Sequence, residues 1–297
     1  MSADALAGAV GAALGAPVTA AEPVSGGSIS RAARMTLADG RRAFVKHHPD
    51  AAPGMFHAEA QGLAWLAAAR ALRTPEVLAV ADGAGGGPRF LALEWIAPGP
   101  ADPEGFGRGL AALHRAGAPG FGLDHDNFIG SLPQPNAAVA GGWPEFYAKR
   151  RLAPMARLAV DAGVLPARFL DGLERLRARL ADLAGPAEPP ARLHGDLWGG
   201  NAILGAAGGA AVVDPAVYGG HREMDLAMMR LFGGFPAAAF AAYEESHPPA
   251  AGHRERVELW QLYPLLVHVV LFGGSYVASA QRVLRRYAGP SESRLAR

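Results

Sequence analysis

The sequence predicts an α+β protein of two lobes: a small antiparallel-sheet lobe with one main helix, then a larger, mostly helical lobe. Three observations carry this. Paired β-prone stretches bounded by turn residues occupy 17–46 and 77–96, with one helical pattern between them. After Pro98-Gly99-Pro100 the periodicity is helical almost throughout. The chain has 297 residues, 50% hydrophobic and 19% charged, enough for a sizeable core shared between two units. The lobes are accordingly set at 1–97 and 98–297.

Taken in order, the first element is a short amphipathic helix, because Leu6, Val10 and Leu14 recur at helical spacing in an Ala-rich start. That start has no Lys or Arg before Arg31 and carries Asp4, so it lacks the positive region of a secretory signal. A twisted hairpin set follows, through the glycine pair Gly26-Gly27, the stretch RMTL, a turn at Asp39-Gly40 and the strand RRAFVKHH. A helix pattern runs from Met55 to Leu72 and is ended by Pro75. The strands VLAV and RFLALEWI come next, joined by a glycine-rich turn at 83–87. In the second lobe, helices are expected near 103–116, 143–162, 166–183, 223–232, 236–245 and 254–287. Strand-like stretches around His194, at NAIL and at AAVVDP interrupt them, and the tail from Gly289 is polar.

Composition removes several function classes. A formal net charge of +1 offers no excess positive field for nucleic acid or an acidic membrane surface. With no cysteine, disulfides, cysteine-zinc sites and thiol catalysis are excluded, which fits a reducing cytoplasm. None of the ten histidines stands in a paired metal spacing, and no apolar run is long enough to span a bilayer.

The chemistry is concentrated in HGDLWGGN, His194 to Asn201, and in the VVDP that follows. Asp196 and Asn201 have the D-x-x-x-x-N spacing of a kinase catalytic loop, in which the Asp accepts the substrate hydroxyl proton and the Asn binds Mg²⁺. Asp214, thirteen residues after Asn201, closes a strand where the second metal-binding carboxylate belongs. Mg²⁺ prefers hard oxygens, so an amide and a carboxylate oxygen can hold it while phosphate oxygens complete the octahedron. A further acceptor, Asp196, must stand near the attacking hydroxyl. Trp198, two residues on, is either lobe packing or a platform for the acceptor substrate, and the platform is favoured. His194 is expected to orient the loop, and Asp225 to anchor the loop backbone by accepting N–H bonds.

The first lobe supplies the nucleotide side. Gly26, Gly27 and Ser28 form a turn whose N–H groups can approach the phosphates of ATP. Lys46 follows on the strand AFVK, placed for the α/β-phosphates, and Glu59, thirteen residues later on a helix, is placed to ion-pair with it. An apolar strand entering a Pro/Gly bend at LALEWIAPG reads as an interlobe hinge, offering the Glu94 carbonyl and the Ile96 N–H to adenine.

With those residues in view, the chain resembles the fructosamine/ketosamine kinases, within the aminoglycoside/choline phosphotransferase group of protein-kinase-like fold. The resemblance is carried by GGSIS, AFVKHH with Glu59, FG…FIGSLPQPN, WPEFYAKRRLAPM, HGDLWGGN, DPAVYGGHREMDLAMMRLFGGFP and WQLYPLLVHVVLFG, from about residue 10 to 287. It implies transfer of phosphate from ATP, with Mg²⁺, to the 3-hydroxyl of a ketosamine, small or protein-linked. Phosphate on C3 becomes a leaving group once the 1,2-enaminol forms, so the sugar is eliminated and the amine released. Some members carry a cysteine after the glycine pair where this chain has Ser28, which removes thiol-based control here. Two other readings stay open: phosphorylation of an aminoglycoside, choline or similar amino alcohol, and a nucleotide-binding module without turnover. A cationic acceptor calls for an acidic cleft, and Asp124, Asp126 and Asp161 are the acidic residues at hand. The sequence specifies neither the sugar and amine of the acceptor nor an oligomeric state.

Overall fold

A computed structural model describes residues 3–24 and 30–289. Gly26, Gly27 and Ser28 lie outside the described residues. The first lobe is a five-stranded antiparallel sheet of order β1-β2-β3-β5-β4: β1 Val18–Val24, β2 Arg31–Leu37, β3 Arg42–His47, β4 Val77–Asp82 and β5 Arg89–Glu94. Side chains alternate across a strand, and here the alternation decides what each face meets. Phe90 and Ala92 of β5, with Ala43 and Val45 of β3, pack against Leu6 and Val10 of α1 (Ala3–Leu14). Leu91 and Leu93 point to the other face and pack with Met55, Phe56 and Leu63 of α2 (Met55–Ala67). Lys46 shares that second face, which aims its amine at α2.

α2 ends at Ala67, well before Pro75, because Arg70 takes a left-handed conformation (φ 52°) that no helix continues through. The second lobe begins at α3 (Pro103–Arg115), which Asp102 caps by accepting from the Gly105 N–H at 2.7 Å. Its core gathers Phe146, Tyr147, Leu176, Trp260, Tyr263 and Leu266 from α4 (Gly142–Phe146), a π-helical turn at Tyr147–Leu152, α6 (Arg168–Leu183) and α9 (His253–Phe272). α5 (Ala153–Asp161), α7 (Glu223–Phe232), α8 (Ala237–Ser246) and α10 (Ser275–Ala288) complete it. The helical pattern read as one element over 254–287 is two helices. Gly273 and Gly274 both have positive φ (60° and 59°) and turn the chain sharply between α9 and α10. The pattern over 143–162, by contrast, is one continuous helical run from Gly142 to Asp161 with a π-helical turn at Tyr147–Leu152 inside it.

Short strand pairs frame the chemistry. β6 (Asn127–Ile129) pairs with β7 (Leu132–Gln134), β8 (Ala191–Leu193) with β11 (Tyr218–Gly220), and β9 (Ala202–Ile203) with β10 (Ala211–Val212). β8 delivers the chain to His194, β9 carries it away from Asn201, and β10 returns it to Asp214. Between the lobes, the Gly99 N–H donates to the Gly205 carbonyl and the Ala207 N–H to the Ala97 carbonyl, so the crossing segment is stitched to the β9–β10 hairpin.

Candidate active site

Loop 194–201 is held from beneath by one buried carboxylate. Asp225, on α7, accepts the His194 N–H at 2.8 Å and the Gly195 N–H at 2.9 Å. His114 of α3 is 3.2 Å from the same carboxylate, and its other ring nitrogen is 2.8 Å from the Tyr243 hydroxyl. Burial raises the Asp225 pKa, but these donors outweigh it and hold the carboxyl below its ordinary value. His194 is fully buried; its Nδ1 accepts the Asp196 N–H at 3.2 Å and its Nε2 donates to the Val213 carbonyl at 2.9 Å. That fixes a neutral tautomer, and burial keeps the ring's pKa low. Gly195 has φ 85°, and a Cβ there would lie 2.0 Å from the Ala216 oxygen, so only glycine makes the turn.

Asp196 and Asn201 face each other across the loop. Asn201 Nδ2 donates to the Asp196 carbonyl at 2.9 Å and to Asp196 Oδ2 at 3.1 Å, and lies 3.4 Å from the Asp214 carbonyl. Asp214 stands two residues beyond β10 in a left-handed conformation (φ 58°), uncommon for a non-glycine residue and a mark of functional sites. Its Oδ1 is 2.5 Å from Lys46 Nζ. The same ammonium donates to both Glu59 oxygens, at 2.9 and 2.8 Å. Burial disfavours the Lys46 charge, yet Asp214 and Glu59 more than restore it and hold its pKa above the ordinary value. Burial raises Glu59 to about 7 against the pull of Lys46. Burial and the neighbouring Asp214 push Asp196 up to about 7 as well, with Asn201 opposing.

These side chains line one interlobe cavity of about 400 Å³. Lys46, Glu59, Glu94, Ile96, Asp196, Trp198, Asn201 and Asp214, all named from the sequence, border it. Glu94 is the last residue of β5, and its carboxylate pairs with Arg73. Trp198 lies over Gly200, where a Cβ would come within 2.3 Å of the indole. Asp124, Asp126 and Asp161 do not reach the cavity: Asp124 binds His125, and Asp126 accepts the Asn136 N–H. Sequence reasoning missed two other parts of the wall, the β6–β7 turn at Phe128–Gly130 and the end of α9 at His268–Phe272. The first lies in FIGSLPQPN and the second at the end of WQLYPLLVHVVLFG, stretches that carry the resemblance but no catalytic spacing of their own.

Besides Glu94, which Arg73 pairs, the cavity sets one ammonium, Lys46, against the carboxylates of Glu59, Asp196 and Asp214. Asn201 and Asp214 supply hard oxygens, and among the described residues no cluster of three His, Cys, Asp or Glu forms a complete cage. Few protein oxygens plus a shortage of positive charge suit Mg²⁺ that arrives with phosphates.

A model of the fructosamine kinase family matches residues 3–289. The chain belongs to the fructosamine kinase family. Among relatives of this fructosamine kinase family member, a probable ketoamine kinase of Synechocystis sp. is 39% identical over 270 residues, 89% of this chain and 88% of that one. A probable ketoamine kinase of Thermus thermophilus is 39% identical over 262 residues, 88% of this chain and 92% of that one. A crystal structure described as a fructosamine-3-kinase candidate from Thermobifida fusca superposes with a TM-score of 0.84 at 42% identity, covering 97% of this chain and 99% of that one. The choline kinase of Streptococcus pneumoniae shares the fold at 14% identity, with a TM-score of 0.62 and coverage of 96% and 98%. This fructosamine kinase family member is thus a bilobal phosphotransferase of protein-kinase-like fold. Among its described residues no helix is long and apolar enough to cross a membrane.

Proposed function

We propose that the protein transfers the γ-phosphoryl group of ATP, with Mg²⁺, to the 3-hydroxyl of a ketosamine. The observation that carries this is the convergence of Lys46, Glu59, Asp196, Asn201 and Asp214 on one cavity in a chain of this family. Lys46, locked by Glu59, orients the α/β-phosphates, and adenine lies in the 1–97 lobe against the segment from Glu94 to Ile96. Gly26, Gly27 and Ser28 complete the phosphate contacts. Asn201 and Asp214 hold Mg²⁺, which when bound neutralises charge on the phosphates. Asp196, held by the Asn201 amide, takes the proton from the attacking hydroxyl. Trp198 supplies a face for the sugar in the 98–297 lobe.

Once C3 carries phosphate, enolisation of the adjacent C2 carbonyl lets phosphate leave and the amine is freed, so the kinase step initiates deglycation. The three carboxylates expected to serve an aminoglycoside-type acceptor, Asp124, Asp126 and Asp161, lie away from the cavity. The deciding experiment is coupled ATP turnover with Mg²⁺ against ribulosamines, erythrulosamines, fructosamines, aminoglycosides and choline. Ketosamine-selective turnover is expected. Turnover of aminoglycosides or choline alone, or a nucleotide-induced thermal shift with no turnover of any acceptor, overturns the proposal.

A further inference from the structure

The segment that follows α2 belongs to the second lobe as much as to the first. A Cβ on Gly109 of α3 would meet the Leu72 side chain at 2.5 Å and the Ala71 carbonyl oxygen at 3.0 Å, so this segment lies directly on α3. The Arg73 carbonyl accepts the Val212 N–H at 2.9 Å, and Arg73 bridges Ala211, which joins the segment to β10 just ahead of Asp214. From that anchored backbone the guanidinium reaches two further places. Its Nη1 donates to the Ala207 carbonyl in the β9–β10 turn, and its Nη2 to Glu94 Oε1 at the end of β5. The second Glu94 oxygen accepts the Glu76 N–H at 3.3 Å. The Ala207 N–H in turn donates to the Ala97 carbonyl at 2.9 Å, and a Cβ on Gly99 would stand 2.7 Å from that same nitrogen. The α2–β4 connection, the crossing segment and the β9–β10 turn thus close a ring around Arg73.

Arg73 does not border the cavity, whereas Glu94 and Ile96 do. Its pair with Glu94 contributes little to stability, because the two side chains are 29% and 35% exposed and water screens them. Geometry is what the pair supplies. A guanidinium presents its donors at fixed angles in one plane, so two acceptors bound at once are held at a fixed separation. Here one acceptor is the residue whose carbonyl is assigned to adenine, and the other is a turn of the opposite lobe. Glu94 is the last residue of β5, and Trp95 to Ala97 belong to no helix or strand. The clasp therefore fixes the point at which the chain leaves the sheet.

We propose that Arg73 is a positioning residue for the nucleotide: by clasping Glu94 to the β9–β10 turn, it keeps the Glu94 carbonyl in register with the 6-amino group of adenine. The inference rests on the assignment of adenine to the Glu94–Ile96 segment. It makes base discrimination depend on a side chain outside the cavity.

The test measures Kd with Mg²⁺, by isothermal titration calorimetry, for ATP and for purine ribonucleoside triphosphate, which lacks the 6-amino group. Wild type, Arg73→Met and Glu94→Ala are compared. Glu94→Ala keeps the backbone carbonyl and releases the clasp from its other end, so it carries the test if Arg73→Met folds poorly. Wild type should prefer ATP about 10-fold, the scale of one hydrogen bond. In both variants the preference should fall to about 2-fold or less, through weaker binding of ATP more than of the amine-free nucleotide. Unfolded protein lowers the fitted stoichiometry and not the ratio of the two constants, so a merely structural role leaves the preference unchanged. A preference kept in both variants, or equal losses for the two nucleotides, overturns the clasp while leaving the adenine assignment in place. No preference in wild type overturns that assignment and the clasp with it.

Discussion

Asp196 is a carboxyl partly enclosed by the catalytic loop and set beside a second carboxylate, and both circumstances oppose its ionisation. The folded pKa of about 7 lies above the unfolded value near ~4, so unfolding releases a proton between those limits. The cost of the ionised side chain is absent below about pH 4, grows as pH rises and is complete above about pH 7. Asp196→Asn removes that cost and keeps the oxygen that Asn201 contacts. Turnover should fall by ~10²- to 10⁴-fold, as for loss of a general base. At pH 8 the melting temperature of the variant without ATP should rise by about 2–4 °C, and the gain should vanish near pH 4. A variant with no gain at pH 8, by scanning calorimetry, shows the carboxyl to be solvated. Asp225 is the opposite case. Asp225→Ala strands the buried N–H groups of His194 and Gly195 and leaves His114 without its carboxylate, so urea unfolding should show a loss of about 3–5 kcal/mol. Both carboxylates were legible in the sequence because their roles depend on local spacing. Arg151 was not: it is one of two arginines in a KRR run, and its complete burial comes from rings far along the chain.

At the scale of elements, the β6–β7 hairpin shows how a recognisable motif acquires a physical role. Arg151 is fully buried, and among the described residues no carboxylate pairs with it. Its guanidinium lies 3.8 Å from the Tyr218 ring centroid and 4.8 Å from that of Phe146, and donates to the Pro135 carbonyl and to Asn136 Oδ1. Asn136 in turn donates to Asn127, while Gln134 donates to Asn127 and to the Ala216 carbonyl. The FIGSLPQPN stretch is thereby tied to the backbone just past Asp214, and its turn is pressed against the cavity. Lysine cannot reproduce the planar fork or its stacking. Arg151→Lys should therefore cost about 2–4 kcal/mol, and steady-state kinetics on the folded variant should show KM rising for the acceptor more than for ATP. Equal effects on both would make the network a general scaffold. Element type was readable from periodicity, whereas breaks were not. Helical spacing runs unbroken across 254–287, and only the left-handed backbone at Gly273 and Gly274 divides it. Arg70 stops α2 in the same way at a residue that carries no helix-breaking signal.

At the scale of the molecule, the lobes meet through the packing of Leu66 against Phe106, Leu110 and Val217, through a short backbone stitch at Gly99–Gly205, and through the ion pair of Lys46 with Asp214. The first lobe thus contributes the cation and the second the carboxylate, and both belong to the proposed phosphate and metal site. Ligand binding should consequently register as stability, because a ligand bound only by the folded state adds RT ln(1 + [L]/Kd), about 2.7 kcal/mol at a hundred times Kd. Asp214→Asn separates the contributions. The side chain is 48% exposed, and Lys46 keeps Glu59, so the melting temperature without ligand should move little. With ATP alone, the shift should match wild type. With ATP and Mg²⁺ together, wild type should gain a further rise that the variant lacks, and Mg²⁺-dependent turnover should be lost in parallel. Mn²⁺ in place of Mg²⁺ checks that a hard divalent cation is the missing partner rather than a salt effect, which would also appear with Na⁺ at equal ionic strength. If Asp214→Asn retains both the metal-dependent shift and wild-type kcat, the metal is held elsewhere. Asp214 would then be only the lobe-bridging partner of Lys46.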